Sequence, residues 1–218
     1  WDERRAGTIT SEEWVGVEGG IARSYGHCMT MGTASTMTAI AEAMGLTLPG
    51  ASSIPAADAG HKRMSASCGR RIVDMVWEDL TPDKVITPAS VRNAAIVAMA
   101  TGCSTNAVVH LLAMARRAGV SLELDDLDAL GRTTPLIANI RPSGADYLME
   151  DFYFAGGLRA LMDQLGDKLD RDAITCTGKP LSDGIAGAPV YNDDVIRPLS
   201  NPVYKEGSLA VLRGNLCP

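Results

Sequence analysis

Between Thr10 and Gly119 helix starts and stops follow one another at short intervals, which restricts that stretch to a set of packed helices. Thr10 and Glu13 form a Thr-x-x-Glu capping box, Trp14, Val17 and Ile21 follow at helical spacing, and Gly26 is the stop. A second helix is predicted over roughly Thr33 to Met44, closed by Gly45. Pro49 and Gly50 mark a loop, and a longer helix is expected from near Pro55 to Leu80. Its apolar stripe is Ile72, Met75, Val76 and Leu80, with Cys68 on the same face and therefore in the core. Thr87-Pro88 reads as an N-cap followed by proline at the first helical position. That helix runs from Ala89 to about Thr101. Gly102-Cys103-Ser104-Thr105-Asn106 interrupts it, and a further helix carries Val108, Leu111, Leu112 and Ala115 on one face. Arg116 and Arg117 lie in its last turn and Gly119 closes it.

After Leu130 the pattern changes. Pro135 to Ile140 is a short apolar run that could form a strand, Arg141 to Gly144 is a turn, and Tyr147 to Phe154 fits either element. Gly156-Gly157 precedes a short helix over Leu158 to Leu165. Ala173 to Thr177 reads as a strand. The Gly-, Pro-, Asn- and Asp-rich stretch 182–207 reads as a linker, and Ser208 to Arg213 as a strand.

Composition excludes several classes of function. With 218 residues, 46% of them hydrophobic, the chain can bury a core without staples. A formal net charge of -6 and the absence of a Lys/Arg cluster argue against nucleic acid as a partner. No apolar run reaches membrane-spanning length, so no membrane partner is expected. The five cysteines are widely spaced with no Cys-x-x-Cys pair, which points away from a disulfide framework or a local zinc site and towards a reducing, cytoplasmic setting.

The residue with the most chemical potential is Cys28. Small residues and hydroxyls follow it, then the run Thr38 to Met44, so it sits at or just before a helix N-terminus. Unpaired N–H groups and the helix dipole favour an anion there, and the thiolate is the form that attacks or binds metal. A buried cysteine acting as a small hydrophobe is the alternative. Ser104, Thr105 and Asn106 open a helix with two hydroxyls and an amide, which suits either the polar end of a substrate or plain capping. Glu150-Asp151 reads as turn or surface structure, because adjacent side chains diverge on any regular element. Glu123, Asp125, Asp126 and Asp128 suggest a metal cluster, but acids at a helix start are favoured by the dipole. His27, His61 and His110 lack triad or zinc spacing and are read as structural, and Cys176 as packing.

Taken together, the ordered segments resemble the iron–sulfur dehydratase family that includes dihydroxy-acid, phosphogluconate and sugar-acid dehydratases. The segments are Cys28 to Met37, Ala41 to Gly50, Gly102 to Ala107 with His110-Leu111-Leu112, and Arg141 to Gly144. Met149-Glu150-Asp151, Ala155-Gly156-Gly157, Lys205-Glu206-Gly207 and Leu212 to Leu216 complete the series. The Met-Gly-Thr-Ala-Ser-Thr-Met form looks most like the sugar-acid, arabinonate-like branch.

The resemblance implies dehydration of a sugar acid, a 2,3-dihydroxy acid, to its 2-keto-3-deoxy acid. It implies an iron–sulfur cluster of the 2Fe-2S type with Cys28 as one ligand, and a magnesium ion whose ligands lie outside this chain. No catalytic base is assignable within the chain, and Ser104, Thr105 and Asn106 would lie near the substrate. A cytoplasmic homo-oligomer, dimer or tetramer, is expected. The fold expected is α/β: residues 1–181 as the later, helix-rich part of an N-terminal cluster-binding domain, 182–207 as a linker, and 208–218 as the first strand of an incomplete C-terminal β-barrel-like domain. On this reading the chain is a middle piece of a longer protein and is inactive alone. Cys103 stands where the family normally has glycine, a change that restricts the backbone at the helix junction. The alternative is a non-catalytic helical fragment that self-associates through exposed apolar surface.

Overall fold

A computed structural model describes residues 1–21, 26 and 28–216. His27 and Cys217 therefore lie outside the described residues. Those residues form α1 (Asp2–Ala6), α2 (Ser11–Ile21), α3 (Thr33–Ala43), α4 (Ala59–Trp77), α5 (Pro82–Val85) and α6 (Pro88–Thr101). They continue with α7 (Asn106–Arg117), α8 (Leu124–Thr133), α9 (Met149–Phe154), α10 (Gly157–Leu165) and α11 (Leu181–Ile185). A 3-10 turn at Ala51–Ser53 follows α3, and another at Gly166–Lys168 follows α10.

α6 is the organising element. Thr87 Oγ1 caps it by accepting the Ser90 N–H, Ser90 Oγ in turn accepts the Thr87 N–H, and Pro88 needs no donor at the first turn. From Ala94 to Thr101 every residue is buried. Alanines at 94, 95, 98 and 100 keep the helix thin, so neighbours can pack around its whole circumference. One cluster joins Ile40 and Met44 of α3 with Ala107, Leu111 and Ala115 of α7 and Leu127 of α8. The other joins Val97 and Ala100 with Ile137, Ile140, Phe152, Leu158, Leu161 and Ile196. Asn93, buried in α6, is satisfied on both sides of its amide by Asp170: it donates to the Asp170 carbonyl and accepts the Asp170 N–H, each at 2.8 Å.

The expected α/β fold is not what forms. Among the described residues there is no strand, only four isolated bridges, and nothing of a β-barrel-like domain. The run 135–140 is extended and buried, yet its amides go to different partners in turn. Leu136 N–H donates to the Tyr204 carbonyl, Ile137 to Ala100 and Asn139 to Val195. A ladder needs one continuous neighbour, and here the partner changes every residue or two. The stretch 173–177 folds back on itself through Thr175 N–H to Lys179 and Leu181 N–H to Ala173. Ser208 to Arg213 makes no ladder either: Ser208 N–H reaches the Met99 carbonyl and Val211 N–H the Asp128 carboxylate.

α4 also departs from expectation. It contains no buried residue, and Cys68 is only partly covered. The expected core stripe faces outward at Ile72 and Val76, while Met64, Cys68, Arg71 and Met75 form the partly covered side. Arg71 ties that side down by donating to the Cys176 carbonyl at 2.6 Å. No helix among the described residues is long and apolar enough to cross a membrane.

Candidate functional site

Cys28 lies on the loop that enters α3, and the loop is fixed by backbone bonds to two later segments. Met31 N–H donates to the Arg141 carbonyl at 2.8 Å, and Met149 N–H donates to the Met29 carbonyl at 2.8 Å. Ser35 adds a side-chain bond to the Thr30 carbonyl at 3.0 Å. Cys28 is exposed, with its Sγ 3.2 Å from Thr30 Oγ1. The Thr30 side chain, then its backbone, hold the Cys28 thiol below its ordinary range, so the thiolate forms more readily.

Directly beyond that loop, α3 begins at Thr33 with Gly32 as its N-cap. Thr33 Oγ1 lies 3.1 Å from Ser104 Oγ and accepts from Asn106 Nδ2 at 2.8 Å. Ser104 N–H donates to Thr36 Oγ1 at 3.0 Å, and Ser104 Oγ accepts the Asn106 amide at 3.3 Å. Ser104 thus caps its own helix and bonds to α3 as well. Thr105 is exposed and makes no side-chain cap bond. The α6–α7 junction is placed by Gly102, whose φ of 79° permits the turn and whose missing side chain admits Ser143. The structure therefore brings together the Cys28 loop, Ser104 with Asn106, the Arg141 to Gly144 turn and the start of α9.

Cys103 does not strain this junction. Among the described residues the one non-glycine at positive φ is Asp79, so the left-handed position is Gly102 and not its neighbour. Burial pushes the Cys103 thiol up to about 11, and its Sγ lies 3.8 Å from Ser208 Oγ. It is an inert packing group.

Several acidic candidates are engaged in caps and ion pairs. Asp126 accepts the Glu123 N–H at 2.8 Å, Asp128 pairs with Arg132, and Asp125 pairs with Arg213. Asp151 caps α9 by accepting the Leu148 N–H at 2.8 Å. His61 and His110 lie on α4 and α7. Cys176 is buried, its N–H bound to the Gly45 carbonyl. Among the described residues, no three His, Cys, Asp or Glu side chains gather to hold a metal ion.

Sequence reasoning assigned no role to Glu42, a buried carboxylate inside one of the quoted motifs. It accepts Gly50 N–H at 2.6 Å and Ser52 N–H at 2.8 Å, and burial pushes its carboxyl above the usual range. A charged residue at a position where the helix pattern calls for an apolar one was the available signal.

The family model for the dihydroxy-acid/6-phosphogluconate dehydratase N-terminal domain matches residues 1–184. The chain belongs to this dehydratase family. It is 53% identical, over all of its length, to the 6-deoxy-6-sulfo-D-gluconate dehydratase of Pseudomonas putida. It is 45% identical over 98% of its length to the L-arabinonate dehydratase of Rhizobium leguminosarum bv. trifolii. It is 40% identical over 98% of its length to the dihydroxy-acid dehydratase of Caldicellulosiruptor bescii. In each case the chain spans less than two fifths of the relative: 38%, 37% and 39% in that order. Of the segments quoted above, those at Cys28 to Met37, Gly102 to Ala107, Arg141 to Gly144 and Met149 to Asp151 are joined by hydrogen bonds around the Cys28 loop.

Proposed function

We propose that the whole protein dehydrates a sugar acid, a 2,3-dihydroxy acid, to its 2-keto-3-deoxy acid, with an iron–sulfur cluster of the 2Fe-2S type and magnesium. The observation that carries this reading is the exposed Cys28 thiol, held in a fixed loop and acidified by Thr30. An accessible thiolate fits an iron ligand. With no metal-holding group of three among the described residues, Cys28 would be one ligand, the others coming from chain beyond them. When bound, such a cluster supplies a Lewis-acidic iron for the leaving hydroxyl, and magnesium neutralises the carboxylate end.

This chain's own part is to hold and orient. The bonds from Met31 to Arg141 and from Met149 to Met29 keep the Cys28 loop in register with the body. The Thr33, Ser104 and Asn106 side chains present hydroxyl and amide groups beside that loop, suited to the hydroxyls or carboxylate of a small polyhydroxy acid. The sugar-acid choice is supported by the 53% identity to the 6-deoxy-6-sulfo-D-gluconate dehydratase, against 39–45% for the dihydroxy-acid dehydratases.

The test uses the full-length protein purified without oxygen. Iron and sulfide analysis with a visible spectrum reads the cluster, and 2-keto acid formation from 6-deoxy-6-sulfogluconate, arabinonate and a branched dihydroxy acid reads the chemistry. Cys28→Ser should lose the visible bands and at least about a hundredfold in turnover, since even outer-shell changes cost 10- to 100-fold. A native protein without iron and sulfide, or one that dehydrates none of the three acids, overturns the proposal.

A further inference from the structure

The Cys28 loop has an arginine beside it. Arg141 accepts the Met31 N–H on its carbonyl at 2.8 Å and donates its own N–H to the Tyr147 carbonyl at 2.9 Å, so its backbone is fixed on both sides. At this seam Met31 and Ile140 are buried in the core, whereas Cys28 and Arg141 are exposed. The thiol and the guanidinium therefore belong to the open side of one seam. Arg141 Nε donates to the Ala145 carbonyl at 2.7 Å, within its own turn. That bond orients the guanidinium plane and leaves both terminal nitrogens as donors. Among the described residues, no carboxylate forms an ion pair with it. A long side chain held in this way has part of its ordering cost met before a ligand arrives.

We propose that Arg141 sets substrate specificity by binding a second anionic group, a sulfonate or a phosphate, at the end of the sugar acid remote from its carboxylate. The inference rests on the dehydratase reading above, in which magnesium takes the carboxylate end and iron the leaving hydroxyl. A cation on the Cys28 side that serves neither is left for a further negative charge. The Thr33, Ser104 and Asn106 side chains on the same loop's flank are neutral, so they suit hydroxyls and offset no charge. A guanidinium fork matches the paired oxygens of a tetrahedral oxyanion with two parallel N–H bonds, where a lysine would offer a point charge. A terminal hydroxyl presents one oxygen and no charge, and gains little from the fork.

Six-carbon acids that differ only at C6 test this on the full-length holoenzyme: gluconate with a hydroxyl there, 6-deoxy-6-sulfogluconate and 6-phosphogluconate. The parent should prefer an anion-tailed acid over gluconate by about tenfold or more in kcat/KM, with the preference shrinking as salt is raised. Arg141→Gln should cut that preference about tenfold or more, chiefly through KM, and Arg141→Lys should recover part of it. A ratio of two acids on one preparation does not depend on how much of it is folded, so a weakened turn cannot imitate the effect. The anion-tailed acid whose preference falls further identifies the group bound. An unchanged preference in Arg141→Gln overturns the proposal. If it comes from equal losses on every acid, the guanidinium serves another part of the polypeptide. A parent that dehydrates gluconate best also overturns it while leaving the dehydratase reading in place. A parent that dehydrates no acid fails that reading, and this inference with it.

Discussion

Thr30 governs the chemistry of Cys28 more directly than the helix end behind it. Its hydroxyl, 3.2 Å from the thiol, is the first cause of the lowered thiol range, followed by its backbone. The sign is that of any acid whose charged form is stabilised: the thiolate persists to lower pH, and alkylation begins at lower pH. Thr30→Val keeps the shape and removes the hydroxyl. The alkylation–pH profile of the Cys28 peptide, followed by mass spectrometry with iodoacetamide, should shift to higher pH, and the rate on the acid side of the profile should fall severalfold. An unshifted profile would return the credit to the helix terminus. Cys103, buried and pushed up to about 11, should stay unlabelled over the same range. Candidate residues such as Cys28 and Ser104 were legible because their types and neighbours are local. Glu42 was not, since its role is to accept N–H groups from Gly50 and Ser52, beyond the end of its own helix.

At the level of elements, local signals served best where caps decide the outcome. The Thr10–Glu13 box, the Thr87-Pro88 start and the acidic start of α8 all form as their side chains dictate. The stripe on α4 was real, but periodicity says only that a helix has an apolar face, not that the body covers it. The strands failed for a related reason: apolar β-branched runs describe burial in extended form, and pairing needs a neighbour of matching register. The α6–α7 junction carries the element-scale prediction. In Gly102→Ala the new Cβ would lie 2.6 Å from Ser143 Oγ at a φ of 79°. Stability should drop by about 1–3 kcal/mol in denaturant titration, with the Arg141 to Gly144 turn displaced from the Cys28 loop. A loss under half of that would mean the turn yields freely.

Across the whole molecule, the segment after α11 is part of the core's closure. Val195 and Ile196 are buried against Ile137 and Phe152, and the Asn139 and Leu136 amides end on the carbonyls of Val195 and Tyr204. Gly207 N–H reaches the Gly131 carbonyl at the end of α8. Ile196→Ala should therefore cost about 2–4 kcal/mol, as a buried aliphatic truncation does, whereas Leu199→Ala, at a 37% exposed position, should cost under about 1 kcal/mol. Equal midpoints for the two variants would mean that 182–207 lies loosely on the body.

By itself the sequence determined the helix boundaries of the middle region, the place of a cysteine ahead of α3 and, through motifs in order, membership of the dehydratase family. The first two rest on residues a few positions apart, where capping, dipole and spacing act directly. Only the tertiary structure decided which face of α4 is free, why 135–140 is buried without becoming a strand, and that Thr33, Ser104 and Asn106 meet beside the Cys28 loop. Those outcomes join residues far apart in the chain, as the Thr33–Ser104 and Asn106–Thr33 bonds do with separations of 71 and 73. The contacts depend on how α3 and α7 pack on α6, which no local pattern encodes.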